Sequence, residues 1–139
     1  MKNLLFVCTG NTCRSPMAEA YCREHYPQVS CNSAGILAAD GACASREARQ
    51  VASKHCLNLE EFRSRRLTLQ MIQQADIVLV MTQDQQQLLR RACPEEAGKI
   101  RTLHSGDRDV HDPYGGDEAI YECCFQEMAG AIDKLLRKE

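Results

Sequence analysis

Residues 3–16 read Asn3-Leu4-Leu5-Phe6-Val7-Cys8-Thr9-Gly10-Asn11-Thr12-Cys13-Arg14-Ser15-Pro16. The first six form an apolar run of strand length that Thr9-Gly10-Asn11 breaks with turn-forming residues, so Asn3–Cys8 reads as a buried strand entering a loop. Pro16 suits the first position of a helix and Ser15 can cap it, which places a helix over Met17–Tyr26. Strand, glycine-containing loop and helix in this order open an α/β fold.

The rest of the chain repeats the alternation. Val29–Ala34 reads as a second strand closed by Gly35, and Ala44–His55 has helical spacing with Ala48, Val51 and Ala52 on one face. Leu67–Ala75 reads as a short helix and Asp76–Met81 as a buried strand. A helix over Gln83–Ala92 stops before Pro94, and Ile100–His104 is a short fourth strand followed by a polar loop through Gly116. Ile120, Cys124, Met128, Ile132, Leu135 and Leu136 make the apolar stripe of a last helix, better suited to a core than to a cofactor. The pattern implies an open, mostly parallel sheet covered on both sides, with no repeat, low-complexity tract or linker. Ligands bind such sheets beyond the carboxyl ends of the strands, which directs attention to the loops after Val7 and after His104.

The 139 residues fit one domain, 1–139. With 44% apolar and 26% charged residues the composition is that of a globular protein, and a formal charge of -2 gives no global attraction to nucleic acid or an anionic membrane surface. Nine cysteines are many, yet they form no CxxC pair, and the N-terminal apolar run is too short for a signal peptide. A reduced, cytoplasmic, monomeric protein is therefore expected, with most cysteines packed as small hydrophobes.

Cys8 and Arg14 stand in a C-x5-R-S arrangement. About one such Cys–Arg spacing is expected by chance in this composition, and Cys43 and Arg49 form a second, but only Cys8 follows a strand, precedes a glycine and leads into a helix. Backbone N–H groups of a tight loop (Thr9, Gly10, Asn11, Thr12, Cys13, Arg14, Ser15) and the positive end of the following helix form a concavity for a tetrahedral dianion. Arg14 supplies a fork for two phosphoryl oxygens, the same positive field favours a nucleophilic thiolate at Cys8, and Ser15 can donate a hydrogen bond to that sulfur. No Walker-type lysine is present. A phosphocysteine route also needs an acid for the leaving group and a base for water. The turn His111-Asp112-Pro113-Tyr114-Gly115-Gly116 offers Asp112, with Asp107, Asp109 and Asp117 as competitors.

The stretches Val7–Ala20 and Asp112-Pro113-Tyr114-Gly115-Gly116, with Ser33-Ala34-Gly35 and Asp76–Thr82, closely resemble the signatures of the low-molecular-weight protein tyrosine phosphatase family over essentially the whole chain. The resemblance implies a three-layer α/β/α fold on a four-stranded parallel sheet. It implies Cys8 as nucleophile, Arg14 as phosphate clamp and Asp112 as acid and then base. It further implies that Asn11 braces the loop, with Ser33 as one of its hydrogen-bonding partners and Ser15 as a further loop-supporting residue. Thr12 resembles the residue that marks the family's bacterial protein arginine phosphatases, where tyrosine-directed members usually carry an apolar side chain. Tyr114 followed by two glycines leaves less wall for a phenyl ring. Phosphoarginine in proteins is therefore the expected substrate, with phosphotyrosine the alternative. Where many members carry a histidine in the bracing network, this chain has Phe62.

The resemblance also suggests a protective disulfide between Cys8 and Cys13. His25, His55, His104 and His111 lack metal-ligand spacing, so neither metal nor cofactor is expected. A thiol-dependent arsenate reductase would need further cysteines near Thr82–Leu89, which holds none. A non-catalytic phosphoresidue-binding module would not require both Cys8 and Asp112.

Overall fold

Strand β1 (Asn3–Cys8) is buried from Leu4 onward and is flanked on both sides, in parallel, by β2 (Ser30–Gly35) and β3 (Ile77–Val80). The structure, a computed structural model, describes residues 2–104 and 108–137. The strand β4 (Ile100–Thr102) pairs with β3, giving a four-stranded all-parallel sheet in the order β2-β1-β3-β4. Side chains alternate strictly across it. Leu4, Phe6, Cys8, Ile77, Leu79 and Met81 join one core, while Leu5, Val7, Val78 and Val80 join a second on the opposite face. Two helices, α1 (Arg14–His25) and α2 (Arg46–Lys54), and the long α5 (Glu118–Arg137) cover the first face with Met17, Cys22, Val51, Tyr121, Phe125, Met128 and Ile132. The helices α3 (Leu69–Gln74) and α4 (Gln83–Ala92) cover the second with Ile72 and Leu89. The result is the expected three-layer sandwich.

Because the chain goes from β1 to β2 on one side and then to β3 on the other, the strand order reverses at β1. The crevice beyond Cys8 is thus the switch point at which such sheets bind ligands.

Several boundaries differ from expectation. Helix α1 begins at Arg14 rather than Met17, and Ser15 does not cap it: the cap position is Cys13, without a side-chain bond, because the Ser15 hydroxyl is turned to Cys8. The helix read over Ala44–His55 is shorter, with Ser45 as its cap accepting from the Ala48 N–H. A 3-10 helix at Pro94–Lys99 leads into β4 and was not legible in the sequence. Of the cysteines expected to pack inside, Cys43 and Cys56 are exposed, whereas Cys22 and Cys31 are buried; in the last helix Cys124 is the core position and Cys123 the surface one. Among the described residues no helix is long and apolar enough to cross a membrane.

Candidate active site

Residues 8–15 curl around the end of β1, and their shape depends on two backbone features. Asn11 adopts a left-handed conformation (φ 55°), which asparagine tolerates better than most residues. Gly35, at the end of β2, lies so close beneath the loop that a Cβ there would stand 2.8 Å from both the Asn11 nitrogen and the Thr9 oxygen. Backbone bonds from Ile36 N to Cys8 O and from Leu37 N to Thr9 O fasten the loop to the same segment.

Cys8 is 2% exposed. Its sulfur receives the Asn11 N–H at 3.2 Å and lies 2.9 Å from the Ser15 hydroxyl. The direction of that second bond follows from the surrounding network. The Arg65 N–H donates to Asn11 Oδ1, so Asn11 Nδ2 must face Ser15 and Ser33, and it donates to both hydroxyl oxygens at 2.8 and 3.0 Å. Ser33 passes its own proton to the Glu19 carboxylate at 2.6 Å. The single Ser15 proton is thereby left for Cys8, and two donors aim at the sulfur. The Asn11 carbonyl oxygen is held by a main-chain N–H, that of Arg65, a bracing contact that no side-chain pattern could reveal. Phe62 itself packs against the main core.

Arg14 is 4% exposed, and among the described residues its guanidinium makes two polar contacts: Nη1 donates to Val110 O at 2.9 Å, and Nη2 lies 3.7 Å from Asp112 Oδ2. Val110 is itself pinned by its N–H to Met81 O at the end of β3. Of the competing aspartates, Asp109 accepts the Gln83 N–H and Asp117 the Ile120 N–H, both helix-capping contacts, while Asp107 lies outside the described residues. Asp112 is the one brought to Arg14. Its side chain is about half exposed, and its Oδ1 accepts the Tyr114 N–H in a tight turn completed by Gly115 (φ 83°). Cys124 of α5 anchors this turn by donating to His111 O, and burial pushes its thiol up to about 12.

Thr12 is half-buried at the rim. Its carbonyl accepts the Ser45 N–H, and among the described residues its hydroxyl makes one long contact, 3.8 Å to the Cys13 sulfur, rather than orienting Asp112. Cys13 is buried beneath, 3.2 Å from the Tyr121 hydroxyl and 3.7 Å from that of Ser45. On the other side of the loop, Gln85 donates to Thr9 Oγ1 while accepting from the Met81 and Thr82 N–H groups. Tyr114 and Leu37 are exposed apolar side chains beside this crevice, at 79% and 72%. Sequence reasoning missed Gln85, although the Thr82-x-x-Gln85 spacing is a capping-box signature. Glu19, Val110, Tyr121 and the Arg65 N–H gave no signal outside the fold.

A thiol with two hydrogen-bond partners at its sulfur, on a loop that also carries a buried guanidinium 3.7 Å from a half-exposed carboxylate, offers groups that can hold a phosphoryl group and transfer it. Residues 3–139 match the family model for low molecular weight phosphotyrosine protein phosphatases. The chain belongs to this family. As a low molecular weight phosphatase it is 39% identical to a protein-arginine-phosphatase of Geobacillus stearothermophilus, over 97% of this chain and 94% of that one. It is also 36% identical to the low molecular weight protein-tyrosine-phosphatase Ptp of Acinetobacter johnsonii, over 87% and 86%. Among solved structures, the YwlE arginine phosphatase of G. stearothermophilus superposes with a TM-score of 0.93 at 38% identity, covering 99% of this chain and 92% of that one. A low molecular weight protein tyrosine phosphatase from T. tengcongensis gives a TM-score of 0.95 at 37% identity, with both chains fully covered. Family membership makes this chain a cysteine-based protein phosphatase.

Proposed function

We propose that this phosphatase hydrolyses phosphoarginine in proteins. The observation that carries the reading is Thr12: a small, half-buried hydroxyl of the phosphate loop that makes no short hydrogen bond among the described residues. A guanidinium leaving group is polar and cationic in its protonated form. It gains from a hydroxyl and a carboxylate at the rim, whereas a phenyl ring gains from apolar walls. The 39% identity to a relative named as an arginine phosphatase supports the same reading.

In the proposed reaction the Cys8 thiolate attacks phosphorus, with the phosphoryl oxygens held by loop N–H groups and by Arg14. The phosphorus–nitrogen bond breaks as Asp112 protonates the departing nitrogen, leaving a phosphocysteine. Asp112, now a carboxylate, takes a proton from water as that water attacks phosphorus. The sulfur–phosphorus bond then breaks, releasing phosphate and restoring the thiolate, which the Ser15 and Asn11 donors stabilise.

The test compares kcat/KM for phosphoarginine and phosphotyrosine peptides in the parent and in Thr12→Ile. The parent should prefer phosphoarginine, and the substitution should shift preference towards phosphotyrosine by roughly tenfold or more, the equivalent of about 1.4 kcal/mol. Equal or greater parent activity on phosphotyrosine overturns the substrate assignment and leaves the phosphocysteine route standing. Loss of turnover in Cys8→Ser with phosphate binding retained, measured by calorimetry, tests the route itself.

Cys13 fits the same site as a partner for oxidised Cys8. To reach it, its sulfur must leave Tyr121, so peroxide-treated protein should yield a mapped Cys8–Cys13 bond, formed faster in Tyr121→Phe. Inactivated protein lacking that bond removes Cys13 from the scheme.

A further inference from the structure

The first turn of α4 touches both halves of the site. On the phosphate side Gln85 donates to Thr9 Oγ1 at 3.1 Å. On the acid side Gln83, the first residue of α4, donates its N–H to Asp109 Oδ1 at 2.8 Å, and Met81 O at the end of β3 accepts the Val110 N–H at 2.8 Å. Val110 is buried and turns its carbonyl to Arg14, while Asp109, His111 and Asp112 are exposed on either side of it. Among the described residues, the polar contacts of the Asp112 carboxylate are the 3.7 Å approach to Arg14 and the turn bond from Tyr114. Neither reaches the rest of the fold except through Arg14. We propose that Asp109 is a positioning residue for proton transfer in this site: by gripping the start of α4 it sets where Asp112 stands relative to Arg14 and the phosphate loop.

Val110 by itself is a pivot. Its main-chain bonds and buried side chain fix one point of the segment, and the direction in which the chain leaves that point needs a hold on each side. Downstream the hold is the Cys124 thiol on His111 O at 3.7 Å, and a thiol is a weak donor. Upstream it is Asp109, whose carboxylate accepts a main-chain N–H at the positive end of a helix, a charge-assisted bond of the stronger kind. The Thr82 hydroxyl, which caps the same helix, is spent on the Gln85 N–H, so the Gln83 N–H goes to a residue 26 positions away. Released from this grip, the segment can turn about Val110 while Arg14 keeps its acceptor. Phosphate binding is then retained and the acid drifts. The role rests on the reading of Asp112 as the acid: an acid must come within hydrogen-bond reach of the departing atom, and misplacement by about 1 Å is costly.

The acid's contribution is read through the leaving group. Para-nitrophenolate departs without a proton, whereas the far more basic phenolate needs one. We therefore compare kcat/KM for para-nitrophenyl phosphate and phenyl phosphate in the parent, Asp109→Ala, Asp109→Asn and Asp112→Asn, with Tm measured for each. Asp112→Asn should lose activity selectively on phenyl phosphate and sets the full size of the effect. Asp109→Ala should lower kcat/KM for phenyl phosphate by roughly tenfold and for para-nitrophenyl phosphate by less than about twofold. Asp109→Asn, whose carbonyl oxygen can still accept the Gln83 N–H, should recover most of that loss. Gln83→Pro removes the donor instead of the acceptor. Proline suits a first helical position, and Thr82 before it is already extended (φ -136°, ψ 159°), so α4 should keep its start. This variant should reproduce the Asp109→Ala pattern, and combining the two should add little. Equal loss on both substrates in Asp109→Ala, or no loss, overturns the proposal. So does Asp109→Asn as impaired as Asp112→Asn, which would make Asp109 a proton donor itself. If Asp112→Asn shows no selectivity, the reading of Asp112 as acid falls and the proposal with it; selectivity there without it in Asp109→Ala removes the proposal alone.

Discussion

Asn11 holds a left-handed backbone, donates its N–H to Cys8, and uses its carboxamide to tie Ser15, Ser33 and Arg65 together. These duties separate by substitution. Asn11→Gly keeps the backbone conformation and its N–H while losing the three side-chain bonds. At about 1 kcal/mol for a typical bond, more where a buried partner is left unpaired, kcat should fall by roughly tenfold to a hundredfold. Asn11→Asp keeps the size and the acceptor for Arg65 but presents oxygen where nitrogen donated. Ser15 would then donate to the new carboxylate instead of to Cys8, and a negative charge would enter the phosphate cradle. Asn11→Asp should therefore be the more damaging variant in both kcat and phosphate affinity, despite being nearly isosteric. Steady-state kinetics with an aryl phosphate and calorimetry with inorganic phosphate decide it. Equal loss in the two variants would show that only the number of bonds matters and not their direction.

The helices and strands contribute ends to this site, and their ends were harder to read than their middles. The unbroken apolar runs Leu4–Cys8 and Ile77–Met81 announced a buried sheet because both faces are covered, and no nearby contact competes with that pattern. Helix α1 started earlier than its sequence suggested because the hydroxyl expected to cap it is taken by a sulfur seven residues back, a contact that exists only once the loop closes. The Cys8, Arg14 and Asp112 positions were legible from local pattern and family resemblance, whereas Gln85 acts across 76 residues of sequence. Gln85 gives a test at this scale, since one carboxamide both caps α4 and holds Thr9. Gln85→Leu removes both functions and should cost about 1–2 kcal/mol of stability, a Tm drop of roughly 3–10 °C, with a raised KM. Gln85→Glu can still accept from Met81 and Thr82 and can accept the Thr9 hydroxyl proton, so Tm should largely recover. KM should stay high, because a carboxylate then stands beside the phosphate loop. Recovery of both quantities in Gln85→Glu would refute a role for this side chain beyond capping.

At the scale of the whole molecule, carboxylates tie α5 to the rest of the helical layer, Glu118 to Lys54 and, more closely, Asp133 and Glu122. Asp133 accepts from Tyr21 and Tyr26 of the α1 end, and Glu122 accepts from His55 at the end of α2 with Lys54 nearby. Burial alone would raise both carboxyl pKa values. The phenolic bonds outweigh it at Asp133, and the Gln126 and His55 bonds at Glu122, so both lie below the usual carboxylate range. Correspondingly, burial and the bond to Asp133 push the Tyr21 phenol up to about 12. A carboxyl group whose pKa is lower in the folded than in the unfolded chain stabilises the fold above its unfolded value, about 4, and loses that contribution as pH falls through its folded value. Stability should therefore be nearly level from pH 7 to about 5 and then decline as α5 loses both attachments. Asp133→Asn should be less stable than the parent at pH 7 by about 1–3 kcal/mol, the range for hydrogen bonds to a charged group. The difference should shrink as pH falls through the lowered pKa of Asp133, where the parent aspartate becomes protonated. Urea unfolding at pH 7, 5 and 3 measures this convergence. Parallel curves at all three values would mean that Asp133 contributes through packing alone, and that the acid sensitivity of this three-layer fold arises elsewhere.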